Sequence, residues 1–196
     1  MTDRPILFSG PMVRALLDGR KTQTRRIVKP QPRVHENGSY GWDAGRGARC
    51  AGLAGTHWPP TLGLDCMSPY GGPGDRLWVR ETWCHADTRS GFAYCADTPL
   101  GSDQTGNGWR PSIHMPRAAC RLTLNVTGIR VERLQDISEA DAEAEGVQTP
   151  ALVPILGAFW SSRDGYARLW NHINGPDSWS ANPWVWVVTF EVADNG

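Results

Sequence analysis

Eight consecutive residues, Gly19-Arg20-Lys21-Thr22-Gln23-Thr24-Arg25-Arg26, carry the densest chemistry in the chain. Four cations fall within seven residues, interleaved with two hydroxyls and an amide and no apolar side chain. Arginine forks and a lysine ammonium match phosphate oxygens, while threonine and glutamine can read a base edge or a ribose. Arg20, Thr22, Gln23, Arg25 and Arg26 are therefore candidates for binding RNA or a nucleobase. The competing reading is a solvated edge strand on which charges block aggregation.

Other reactive side chains are scattered. His114 sits in Ile113-His-Met-Pro116, among apolar residues and prolines, as a hydrogen-bonded structural residue or a pocket wall. Cys50, Cys66, Cys84, His85 and Cys95 lack the close paired spacing of structural zinc sites, so neither metal nor cofactor is expected. Trp58 and Trp109 fall in irregular stretches and could stack on bases. Trp78, Trp170, Trp184 and Trp186 fall in periodic elements and read as core.

The elements that must position these residues can be read in outline. Pro11 to Asp18 is a helix with Met12, Val13, Leu16 and Leu17 on one face and Gly19 as its left-handed stop. Thr22 to Val28 follows as a polar strand, and Asp75 to Trp83 as another. Leu122, Leu124 and Val126 alternate, then Ile129 and Val131 alternate on the opposite parity, which predicts a bulge or sharp bend at Gly128. Ser138-x-x-Asp141 opens a short helix that Gly146 closes. Tyr166, Leu169, Trp170 and Ile173 make an amphipathic helix ending at Asn174-Gly175. Trp184 to Val192 is apolar on both faces and reads as a central strand. The stretches 29–74 and about 84–120 are rich in turn residues and read as two long irregular insertions with short local structure. Short helices beside few strands give an α+β fold with the sheet curled into a small barrel, and one domain spanning 1–196.

Charge is balanced overall, 20 basic against 20 acidic residues, but not locally. Residues 1–34 hold eight cations against two acids, and residues 131–147 hold six acids against Arg133. A neutral average thus hides a basic and an acidic pole. No apolar run is long enough for a signal peptide or a membrane span, and the five cysteines are odd in number without a Cys-x-x-Cys. Reduced thiols in the cytoplasm and no membrane partner are the expectation.

The motifs also occur in a telling order: Asp18-Gly-Arg-Lys-Thr-Gln-Thr-Arg-Arg26, Pro73-Gly-Asp-Arg-Leu-Trp-Val-Arg80, Val126-Thr-Gly-Ile-Arg-Val131, Ile137-Ser-Glu-Ala-Asp-Ala-Glu-Ala-Glu-Gly146 and a terminal Trp-Val-Val-Thr-Phe-Glu191 strand. This series resembles the ASCH domain, a PUA-like β-barrel family associated with RNA. Cys66-Met-Ser-Pro-Tyr-Gly-Gly-Pro-Gly-Asp75, Arg80-Glu-Thr-Trp83 and Arg110-Pro-Ser-Ile-His-Met-Pro-Arg117 resemble the larger ASCH proteins of phages and prophages.

The resemblance implies a PUA-like barrel with flanking short helices. Small bacterial ASCH proteins include amidohydrolases that deacetylate N4-acetylcytidine with a Lys, a Thr and a Glu, which map onto Lys21, Thr24 and Glu145. It supports two other functions as well, a non-catalytic reader of RNA or a modified base and a ribonuclease. The hydrolase carries a geometric condition. Side chains three apart on a regular strand point to opposite faces, so Lys21 must lie in the turn after Gly19 or the strand must bulge.

Overall fold

The computed structural model describes residues 2–34, 40–43, 49–52, 68–98, 108–147 and 161–193. Strand β1 (Asp3–Leu7) is followed by helix α1 (Gly10–Leu17) and strand β2 (Gln23–Ile27). Three short strands, β3 (Arg33–Val34), β4 (Tyr40–Asp43) and β5 (Arg49–Gly52), form a separate antiparallel sheet within the first insertion. Next come β6 (Arg76–Arg80) and a hairpin of β7 (Trp83–His85) and β8 (Phe92–Tyr94). The long strand β9 (Thr123–Arg133) leads to α2 (Glu139–Ala144), α3 (Ser162–Asn174) and β10 (Trp184–Val192).

The main sheet has the order β1-β6-β9-β10-β2, with β1 parallel to β6 and the other pairs antiparallel. The fold is α+β, and among the described residues the backbone pairing does not close into a barrel. Its two edges nevertheless approach each other, because Arg26 on β2 donates from Nη2 to the carbonyl of Leu7 at the end of β1.

Strand β10 lies inside the sheet and explains its own composition. Trp184, Trp186, Val188 and Phe190 pack with Ile6, Val13, Leu16, Leu77, Leu124 and Val126 into one core under α1. Val185 and Val187 face the other way, into a second core with Leu134, Ala142, Tyr166 and Trp170 beneath α2 and α3. A strand buried on both faces loses the apolar–polar alternation of a half-exposed one.

Gly128 marks a bulge. Thr189 pairs with Gly128 and Phe190 with Val126, so Thr127 is the extra residue on β9. That single insertion returns Val131 to the core face used by Leu124 and Val126. A side chain at Gly128 would also meet the Thr189 hydroxyl at 2.5 Å.

Strand β1 lies outside the elements expected from the sequence, and it opens with the polar Asp3 and Arg4 and with Pro5. It is an edge strand, where proline and charge are tolerated. Expected strand 75–83 divides into β6 and the start of the hairpin. Trp170, Trp184 and Trp186 are core, as their periodicity implies, whereas Trp78 is half-buried between the guanidinium groups of Arg80 and Arg117. Trp58 lies outside the described residues.

Candidate active site

Helix α1 ends at Asp18, and Gly19 takes the left-handed backbone (φ 70°) that lets the chain turn sharply. The amides of Arg20 and Lys21 both donate back to the carbonyl of Ala15, which holds Lys21 in the turn rather than on β2. There Lys21 forms an isolated antiparallel bridge with Glu145, the residue that ends α2. Thr22 strengthens the junction by donating its amide to Ala144. The geometric condition is met by the turn.

Glu145 is placed by a cap at each side of its helix. Ser138 accepts from the amide of Asp141 at the N-terminus, and Gly146 (φ 85°) closes the C-terminus. Gly146 is also required by space, because a Cβ there would lie 2.9 Å from Ala15 Cβ and 3.1 Å from Lys21 Cβ. The close approach of α1, the turn and α2 depends on it.

Lys21 and Glu145 are buried, at 2% and 3% exposure. Lys21 Nζ donates to Glu145 Oε2 at 2.7 Å and to the carbonyls of Gln23 and Glu145 at 2.8 Å each. Burial holds its proton affinity below the usual 10.5; Glu145 opposes this, and the charges of Arg26 and Arg25 add to it. The second Glu145 oxygen takes Arg25 Nη1 at 3.3 Å and the Tyr166 hydroxyl at 3.4 Å.

Arg25 is enclosed on all sides. Its guanidinium meets Glu132 at 2.6 Å, Asp141 at 3.2 Å and Glu145 at 3.3 Å, and it also donates to the Gln23 side chain at 2.6 Å. Gln23 passes the contact on to Asp141 at 3.0 Å. The basic and acidic poles of the sequence thus neutralise each other inside the protein. Arg20 is spent similarly, on Asp18 at 2.8 Å and the carbonyl of Gly146.

Beside this network opens a cavity of about 410 Å³ that Lys21, Thr24, Arg25, Arg26 and Glu145 all line. Register explains how one strand supplies so much of it. Thr24 and Arg26 pair with Val188 and Trp186, which face the α1 core, whereas Arg25 pairs with Val187, which faces the α2–α3 core. Because β2 is an edge strand, the cavity wraps its edge and takes side chains from both faces. Phe8, Tyr70, Tyr166 and Trp170 supply aromatic walls. Burial pushes the phenol affinities of Tyr70 and Tyr166 up, and both stay protonated donors at neutral pH.

Thr22 is exposed and lies outside the cavity lining, as does Gln23, whose side chain serves Arg25. His114 is exposed in a 3-10 turn (Ser112–His114) and does not line it either. Trp109 is half-buried elsewhere. Cys84, Cys95 and Cys120 are not in disulfides, and among the described residues no group of three His, Cys, Asp or Glu is gathered for a metal. No helix among these residues is long and apolar enough to cross a membrane.

Several wall residues escaped the sequence reading: Phe8, Ser9, Lys29, Tyr70 and the stripe of α3. The stripe had a signal, the spacing Tyr166, Leu169, Trp170, Ile173, but helical periodicity marks a buried face without saying whether protein or ligand covers it. Comparison with known proteins adds no assignment: no family model, no curated protein and no solved structure matches this chain.

Proposed function

We propose that the chain is an amidohydrolase that removes the acyl group from N4-acetylcytidine or a related modified nucleoside, on an ASCH-type frame. In this reading the main sheet is a PUA-like barrel left open between β1 and β2, and the Arg26–Leu7 hydrogen bond draws its edges together. The observation that carries the proposal is the convergence of Lys21, Thr24 and Glu145 on one aromatic-walled cavity. Its volume of about 410 Å³ lies in the range of small-ligand pockets and suits a single nucleoside. The inward neutralisation of Arg25, and the pairing of Arg20 with Asp18 at the surface, also favour a small ligand over a long polyanion lying across this face.

The chemistry uses the 2.7 Å contact between Lys21 Nζ and Glu145 Oε2 as a proton path. Burial lowers the proton affinity of Lys21, which makes the free amine that a base requires more accessible. Thr24 Oγ1 attacks the acyl carbonyl carbon while its proton passes to the Lys21 amine. Glu145 relays that proton to N4 as the C–N bond breaks, leaving the acetyl group esterified to Thr24. Water then attacks the ester and yields its proton to Glu145. Lys21 carries that proton back to the Thr24 oxygen as acetic acid leaves, which restores the starting state. Tyr166 and Arg25 hold the carboxylate of Glu145 in place throughout.

The test is direct. Purified protein incubated with N4-acetylcytidine is expected to release acetate and cytidine, and Lys21→Ala and Thr24→Val to abolish release. No acetate from the wild type, or undiminished release by Lys21→Ala, overturns the proposal. Binding of the nucleoside without turnover would identify a reader instead.

A further inference from the structure

We infer that the ligand of this cavity carries a phosphate-class anion, held at the rim by Arg26 and Lys29, so that the base is presented as a nucleotide. The base half of this statement rests on the proposed nucleoside function; the anion half rests on charge and geometry alone.

The cations of the basic segment fall into two groups. Arg20, Lys21 and Arg25 each meet a carboxylate within 3.3 Å. Arg26 and Lys29 have no ion pair among the described residues, and both line the cavity. Arg26 is fixed rather than free: Nη2 donates to the Leu7 carbonyl and the guanidinium lies 5.2 Å from the centre of the Phe8 ring.

Exposure gives the cavity a direction. Lys21, Thr24, Glu145 and Tyr166 are buried and form its floor, whereas Lys29 and Ser9 are exposed and form its rim. Ser9 is the N-cap of α1, and its hydroxyl makes no capping bond. The cavity thus offers two cations with no ion pair among the described residues, half-buried Arg26 and exposed Lys29, and the exposed Ser9 hydroxyl at the positive end of a helix. A nucleotide has the complementary polarity, an exocyclic nitrogen at one end and an anion at the other. The phosphate can belong to a free mononucleotide or to the phosphodiester of an RNA chain.

Calorimetric titration of the whole protein with cytidine, cytidine 5′-monophosphate, inorganic phosphate and a short cytidine-containing oligoribonucleotide tests this without requiring turnover. The monophosphate is expected to bind about tenfold or more tighter than cytidine, with a preference that shrinks as salt rises. Arg26→Gln/Lys29→Gln is expected to erase that preference, and Lys29→Gln, at an exposed site, to reduce it without perturbing the fold. Equal binding of cytidine and its monophosphate, or a preference that survives the double substitution, overturns the inference. If neither cytidine compound binds but inorganic phosphate does, and only to the wild type, the anion site stands and the nucleoside function falls. If phosphate fails as well, both fall. Tighter binding of the oligonucleotide than of the monophosphate assigns the anion to an RNA chain; equal binding assigns it to a free nucleotide.

Discussion

Lys21 and Glu145 are joined three times, by an isolated antiparallel backbone bridge, by a 2.7 Å contact between Nζ and Oε2, and by a 2.8 Å hydrogen bond from Nζ to the Glu145 carbonyl. The pair is therefore both a structural clasp between the turn and α2 and the proposed proton path. Removing one member leaves the other buried without its partner, which costs about 3–5 kcal/mol for typical buried pairs. Glu145→Gln is expected to destabilise the protein by roughly that amount, since Lys21 would then face Arg25 and Arg26 with no compensating charge. Lys21→Met/Glu145→Gln is expected to recover most of the loss, because the orphaned ammonium is gone. Urea denaturation of the two variants measures both; a single variant within about 1 kcal/mol of wild type would remove the clasp from the account.

The same burial fixes a pH dependence. Lys21 in the folded chain has its affinity lowered below 10.5, first by desolvation. Between the folded value and 10.5 the unfolded chain holds a proton that the folded chain lacks, so stability rises with pH across that window. Tyr166 and Tyr70 are raised above 10.0 and act in the opposite sense above that pH, where their unfolded forms ionise first. Denaturation curves recorded up to about pH 9.5 therefore isolate the lysine. Relative to Lys21→Met, the wild type is expected to gain stability as pH rises; a flat difference contradicts the lowered affinity.

Gly146 ties backbone conformation to the site. Its φ of 85° strains any L side chain, and an added Cβ would press on Ala15 and on Lys21 itself. Gly146→Ala is expected to cost roughly 2 kcal/mol or more, from the left-handed backbone and the crowding together. Ser138→Ala, which removes the cap at the far end of α2, is expected to cost about 1 kcal/mol. Acetate release should fall more for the glycine variant than its stability loss explains, because only that substitution moves Lys21. Equal activity at a temperature well below both melting points would argue that Gly146 is merely a helix stop.

How legible was this arrangement beforehand? Local signals read well. Gly19 ends α1, the parity switch at Gly128 is a bulge, and Ser138 and Gly146 bound α2, because each is a property of a few neighbouring residues. Pairing across the chain did not. The sequence shows Arg25 as one more cation in a basic run, yet Glu132, Asp141 and Glu145, more than a hundred residues away, turn it inward. Composition also hides β1, whose parallel pairing with β6 depends on partners rather than on its own propensity. The placement of Lys21 and Thr24 on one cavity depends on the turn after Gly19, a three-dimensional relation that no local sequence signal carries.

The stripe on α3 separates packing from binding within a single helix. Tyr166 and Trp170 are buried in the second core and also line the cavity, whereas Ile173, at 60% exposure, sits where that stripe runs out to the rim. Trp170→Ala is expected to destabilise by about 3–5 kcal/mol, because a large side chain leaves a void that neighbours fill only in part. Ile173→Ser removes an apolar group that protein does not cover, so its effect on stability should stay within about 0.5 kcal/mol. If the stripe continues the ligand wall, the same substitution should raise KM for the acylated nucleoside several-fold while leaving kcat nearly unchanged, as expected when uniform binding alone is lost. Steady-state kinetics beside a melting curve distinguishes the cases: unchanged KM would confine the cavity to its buried floor, and a large stability loss would return Ile173 to the core.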